Sequence, residues 1–130
     1  MLDADGNNSP ATTAGELNNY LYWLKYNVNS SVLGSGTDVV PYQGASPPPN
    51  SGIHRCVILV YSQLNGSMTS PPVGVTALHD DDVNDQTRAT FHLRLFIRQN
   101  QLSGPVVGNF FRTLEDSFSA AQWAALASPP

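Results

Sequence analysis

The stretch Ile53-His54-Arg55-Cys56-Val57-Ile58-Leu59-Val60-Tyr61 constrains the fold more than any other part of the chain. Its centre, Cys56 to Val60, is apolar and rich in β-branched residues, as a strand entering a core should be. Two side chains that can carry positive charge nevertheless stand at its mouth. Alternation along a strand puts His54, Cys56, Ile58 and Val60 on one face, and Ile53, Arg55, Val57, Leu59 and Tyr61 on the other. His54 and Arg55 therefore point in opposite directions and have different jobs.

The remaining segments are organised around that strand. Tyr20-Leu21-Tyr22-Trp23-Leu24-Lys25-Tyr26-Asn27-Val28 alternates in the same way and reads as an aromatic strand. Gly36-Thr37-Asp38-Val39-Val40-Pro41-Tyr42 predicts a short strand that Pro41 confines to an edge or ends. Pro47-Pro48-Pro49 stiffens the loop leading into His54. Residues 64–89 hold Gly, Pro, Asn and Asp at loop density and predict a long irregular region. The stretch TFHLRLFIRQN fits two periods: Phe91, Leu93, Leu95 and Ile97 alternate, whereas Leu93, Phe96 and Ile97 share a helical face. Pro105 to Thr113 reads as a strand. Residues 114–130 predict a short terminal helix over SFSAAQWAALA with a tail ending in Pro129 and Pro130. The expectation is one mainly β domain over residues 1–130 with little helix.

Composition removes several function classes. Six Lys plus Arg against ten Asp plus Glu give a net charge of -4, so no basic face for nucleic acid is expected. The single cysteine, Cys56, excludes an intrachain disulfide, and its apolar surroundings suit a buried hydrophobe rather than a nucleophile. No stretch has the length of an apolar membrane span, and MLDADGNNSP lacks the basic start and apolar core of a signal peptide. A cytoplasmic location is thereby favoured, with secretion open if the chain is a processed fragment. Asn7-Asn8-Ser9, Asn29-Ser30-Ser31 and Asn65-Gly66-Ser67 fit the N-glycosylation pattern, which an Asn- and Ser-rich chain meets readily by chance.

Metal and hydrolase motifs fare poorly. Counted from Asp3, an EF-hand loop would need Gly, an apolar residue and Glu where Asn8, Pro10 and Ala14 stand. The acidic run Asp80, Asp81, Asp82 and Asp85 reads as a solvated loop, and neither His79 nor His92 has a metal-ligand spacing. No G-x-S-x-G is present. No metal, cofactor or catalytic residue is expected, and the chain reads as a non-enzyme.

LDADGNNSP, ELNNYLYWLKYNV, GTDVVPYQGASPPPNSGIHRCVILVYSQ and LSGPVVGNFF, taken in order, resemble the phosphatidylethanolamine-binding protein (PEBP) family. The likeness runs from Asp3 to Phe111. It rests on the Asp-x-Asp motif, the aromatic strand, Y-x-G before a proline loop, G-I-H-R opening a strand that ends in Tyr-x-Gln, and G-P-V-x-G-N-F-F. No piece is specific alone; the order is. The resemblance implies packed antiparallel β-sheets with short peripheral helices and a small anion pocket at one sheet end. His54 matches the family histidine facing that pocket. Arg55 matches the arginine anchoring the Asp-x-Asp loop from behind, which makes Asp3 and Asp5 its expected partners in a buried ion pair. The expected ligand-binding set is His54, Asp3, Asp5, Tyr22 and Tyr20, with Pro48 and Gly52 shaping the rim.

The sequence departs from the family pattern at three places. Tyr22 stands where a second pocket histidine is usual, and it can donate a hydrogen bond but carries no positive charge near neutral pH. Cys56 replaces a tyrosine, and Asn7 a proline. Met1 also stands directly before Leu2-Asp3, where the family has several strands, so the first strands are expected to be missing. The leading expectation is a ligand-binding or regulatory module taking a phosphate-like anion, a phospholipid headgroup or a partner protein. The alternative is a structural subunit with a degenerate pocket. The mitochondrial large ribosomal subunit holds a family relative of that kind, which would imply a mitochondrial location. On either reading other chains are expected to supply strands.

Overall fold

The protein, seen in a computed structural model, is described over residues 1–6, 19–32, 34–79, 86–114 and 125. Its longest run of alternating residues becomes its central strand. β5 (His54–Gln63) pairs antiparallel with β6 (Leu102–Thr113) on one side and with β1 (Leu2–Asp3) on the other. β2 (Tyr20–Leu21) pairs with β1, giving a four-stranded antiparallel sheet in the order β2-β1-β5-β6. A second, two-stranded sheet joins β3 (Leu24–Tyr26) to β4 (Thr37–Val40).

The aromatic segment is thus split, where alternation predicted one strand. The backbone N–H groups of Tyr22 and Trp23 both donate to the Met1 carbonyl, at 2.9 and 3.1 Å. The ladder therefore turns at Tyr22–Trp23, and β3 leaves for β4. Trp23 fixes the turn by donating its indole N–H to Asp38 at 2.7 Å. Alternation continues through the break, so only these long-range bonds reveal it.

Register sorts the side chains. Asp3 stands opposite Tyr20 and Cys56, and Cys56 opposite Phe111. One face of the sheet therefore carries Tyr20, Asp3, His54 and Cys56. On the other face Leu2 stands opposite Leu21 and Val57. Leu2 and Leu21 pack there with Val39, Val40, Leu78, Phe91 and Phe96 in the larger apolar core. A smaller cluster of Tyr20, Tyr22 and Cys56 fills the first face.

TFHLRLFIRQN resolves as α2 (Leu93–Gln99), which buries Phe96 and stacks it on Phe91 with ring centroids 5.3 Å apart. Core burial of Phe96 selects the helical period over the alternating one. Asn100 closes the helix: its side-chain amide donates to the carbonyls of Phe96 and Val73, both at 2.9 Å. Of the irregular region, residues 64–79 hold turns only, but Gln86–Ala89 forms a short helix, α1. Of residues 114–130, where a terminal helix is expected, only Leu114 and Ala125 are among the described residues.

β6 is the exposed edge. All but its terminal residues Leu102 and Thr113 are solvent-exposed, with Val106, Val107, Phe110 and Phe111 between 41 and 62% exposed. Ile58 and Val60 of β5, expected in the core, are also exposed. They share a face with Val107 and Phe111, and no described element covers it. Among the described residues no helix is long and apolar enough to cross a membrane.

Candidate functional site

The site begins with a turn. β1 ends at Asp3, whose carboxylate accepts the backbone N–H groups of Asp5 at 2.9 Å and Gly6 at 3.2 Å. Such an Asx turn folds the chain back on itself, and Gly6 completes it at φ +62°. The other carboxylate oxygen meets Nδ1 of His54 at 2.6 Å, with both side chains 1% exposed. An ionised carboxylate only accepts, so against ionised Asp3 it is Nδ1 that carries the hydrogen. Burial pushes the Asp3 carboxyl above its ordinary value, and the His54 and Asp5 hydrogen bonds oppose that push.

Arg55 departs from expectation. Its side chain is 60% exposed and pairs with Asp5, not Asp3. Asp5 accepts the Arg55 backbone N–H at 2.7 Å, Nε at 3.1 Å and an η nitrogen at 2.8 Å. The reason is register. Asp3 lies across from Cys56 and so shares the His54 face, while the turn after it swings Asp5 round to the Arg55 side. The two aspartates divide the labour: one orients the histidine, the other ties the loop to the strand at the surface. The Arg55 hydrogen bonds hold the Asp5 carboxyl below its ordinary value.

Tyr20 and Tyr22 stand beside this pair with ring centroids 4.9 Å apart. The Tyr22 hydroxyl accepts the Ser46 backbone N–H at 3.3 Å, and the Tyr20 hydroxyl donates to Gln43 at 3.4 Å. Burial drives Tyr22 ionisation far above its usual range, so this phenol is a neutral hydrogen-bonding group. Cys56 is fully buried, and desolvation, with Asp3 adding to it, pushes its thiol up to about 12. A thiol so raised is a poor nucleophile.

Pro48 and Gly52, expected at a rim, flank a turn in which Ser51 donates its N–H and hydroxyl to the Pro48 carbonyl, at 3.2 and 2.6 Å. Gly52 then adopts φ +81° with open space where a Cβ would stand, so backbone conformation, not crowding, favours glycine there. Pro47, rather than Pro48, is the fully buried proline. Sequence reasoning missed Arg88. It is buried on α1 and donates to the carbonyls of Leu21, Tyr22 and Pro41 at 3.0 to 3.1 Å, clamping the split between β2 and β3. Nothing in its surroundings, Asp-Gln-Thr-Arg-Ala-Thr, marks that role. Ser46 and Gln43 were equally invisible, since only the folded loop brings them to the tyrosines. No group of three or more His, Cys, Asp or Glu able to hold a metal exists among the described residues. Asp80, Asp81, Asp82 and Asp85 lie outside them.

No family model matches the chain. Individual proteins do. A 26 kDa secreted antigen of Toxocara canis is 32% identical over 113 residues, covering 87% of this chain and 40% of that protein. Protein CENTRORADIALIS of Antirrhinum majus is 32% identical over 114 residues, 85% of this chain and 54% of that protein. A putative odorant-binding protein A5 of Drosophila melanogaster is 29% identical over 99 residues, with 76% and 44% covered. The chain spans about half the length of the curated relatives it matches. Since that similarity covers most of the chain and accompanies a mainly antiparallel β fold, the chain belongs to the phosphatidylethanolamine-binding protein family.

Proposed function

We propose that the chain is a non-enzymatic PEBP-like binding or regulatory module whose site, centred on His54, takes a phosphate-like anion or phospholipid headgroup. The observation that supports this reading is the buried Asp3–His54 contact, which fixes the imidazole through Nδ1. Tyr20 and Tyr22 add neutral hydrogen-bonding groups on the same face, and the Pro48–Gly52 segment forms the approach. An anion seated there would draw on hydrogen-bond donors from the imidazole and the two phenols rather than on a cluster of fixed charges.

Calorimetric titration of phosphorylethanolamine and of inorganic phosphate into wild type and His54→Gln tests the proposal. Loss of binding in a variant that still melts cooperatively supports it. Equal affinity in both removes His54 from the site. A preference for phosphorylethanolamine over phosphate identifies the headgroup, rather than the bare anion, as the ligand.

A second reading rests on β6. An apolar edge strand exposed over most of its length favours pairing with another polypeptide segment. On this reading the chain is a subunit that kept the fold and works through its sheet edge. Binding of neither phosphate ligand, together with a molar mass above 14.0 kDa by light scattering, would select it. The mitochondrial ribosomal form of this reading draws no support from the relatives above.

A further inference from the structure

Two of the three glycosylation patterns fall on described residues, and the fold brings them to one end of the molecule. Asn29 lies two residues beyond Asn27, and Asn65 two beyond Gln63. Asn27 and Gln63 bind each other twice: the Asn27 backbone N–H donates to Gln63 Oε1 and the Gln63 amide donates to Asn27 Oδ1, both at 2.8 Å. Asn27 also exchanges two 2.8 Å hydrogen bonds with Met68. The turns after β3 and β5 are thereby stitched together. β5 has ten residues, and at about 3.3 Å per residue this end is roughly 30 Å from His54.

Each pattern has the local form an acceptor needs. Asn29, Ser31, Asn65 and Ser67 are all exposed. Asn29 Oδ1 accepts the Ser31 backbone N–H at 2.9 Å, an Asx turn that brings the serine round towards the asparagine amide. Asn65 sits in the turn closed by the Gly66 N–H on the Gln63 carbonyl, and its Nδ2 donates to Gln101 Oε1 at 2.7 Å. A glycosylated Nδ2 keeps one hydrogen, so that contact survives modification. Neither side chain belongs to an apolar cluster, and a bulky sugar at either costs no packing.

We propose that Asn29 and Asn65 are N-glycosylation sites, placed so that two glycans cover the end of the sheet away from His54. The donor is a polyprenyl-diphosphate oligosaccharide. Nδ2 attacks the sugar C1, the C1–O bond to the diphosphate breaks, the N–C1 bond forms, and the amide gives up one proton. The fold tolerates both products, which lie away from His54.

The full chain exported through a eukaryotic secretory pathway tests this by peptide mass mapping before and after peptide-N-glycosidase. The expected result is glycan on the peptides containing Asn29 and Asn65, with Asn29→Gln and Asn65→Gln each removing one glycan-dependent step in gel mobility. Both variants should keep the wild-type melting temperature, as expected for exposed turn residues. Either peptide found wholly unmodified in folded, exported protein overturns the proposal for that site, and both unmodified overturn it altogether.

Discussion

Replacing Asp3 by alanine removes three acceptances at once. The carboxylate takes the Asp5 and Gly6 N–H groups and the His54 Nδ1 hydrogen. Hydrogen bonds to charged groups contribute about 1.5–3 kcal/mol each, and a buried donor left unsatisfied costs about 1–3 kcal/mol. Relief of the Asp3 desolvation, visible in its raised pKa, offsets part of the sum. The net loss should match that of breaking a buried pair, about 3–5 kcal/mol. With a urea m-value of about 2 kcal/mol/M, the midpoint falls by roughly 1.5–2.5 M. Asp5→Ala is the control: its partner is exposed, so it should cost about 0–1 kcal/mol. Asp3→Asn keeps an acceptor for the turn and should lose about half as much as alanine. Urea titration followed by far-ultraviolet circular dichroism measures all three. Equal shifts for Asp3→Ala and Asp5→Ala would refute the division of labour between the two aspartates.

Arg55→Met should move the midpoint no further than Asp5→Ala does, because the pair it breaks lies at the surface; a shift as large as that of Asp3→Ala would restore a buried role for Arg55. The pH dependence of melting should show two opposed limbs. Asp3 is raised above its ordinary 3.8, so its stabilising contribution is present below that value and is lost as pH rises through the folded value. Asp5 is lowered, so its contribution is present above 3.8 and lost as pH falls through the folded value. Asp3→Asn should flatten the first limb and Asp5→Asn the second, in melting temperatures recorded across the acid range. Cys56 should resist a thiol reagent until urea unfolds the chain; modification at the same rate in native and unfolded protein would contradict its burial. Gly36→Ala should destabilise by more than about 1 kcal/mol, because Gly36 sits at φ +87° and a Cβ would stand 2.5 Å from the Tyr26 carbonyl oxygen; an unchanged melting temperature would refute it.

What could be read from the sequence was what depends on a single strand. The opposed directions of His54 and Arg55 follow from alternation alone, and the structure has one buried and the other exposed. The partner of each did not follow. Pairing Asp3 with His54 requires the register between β1 and β5, which no local pattern encodes. The same limit hid the break after Tyr22, set by the Met1 carbonyl and the Arg88 guanidinium. TFHLRLFIRQN stayed ambiguous because two periods fit it, and the core position of Phe96 decided between them. Exposure of Ile58 and Val60 was illegible for another reason: composition reports what a strand could bury, not whether anything lies over it.

The placement of β1 has a consequence in time. This two-residue strand sits in the middle of the sheet, and the His54 contact that anchors it spans 51 residues of sequence. β5 meets its other neighbour, β6, only across the whole segment from 64 to 101. A ribosome therefore releases β1 long before either long strand exists to receive it, and β2 alone makes too small a ladder to hold it. Closing loops of this length must precede any gain from the pairings they permit, which places such a topology among the slower-folding small domains. Assembly of the sheet and assembly of the Asp3–His54 pair then become one event, so the appearance of a shielded His54 ring would serve as a clock for the last step of folding.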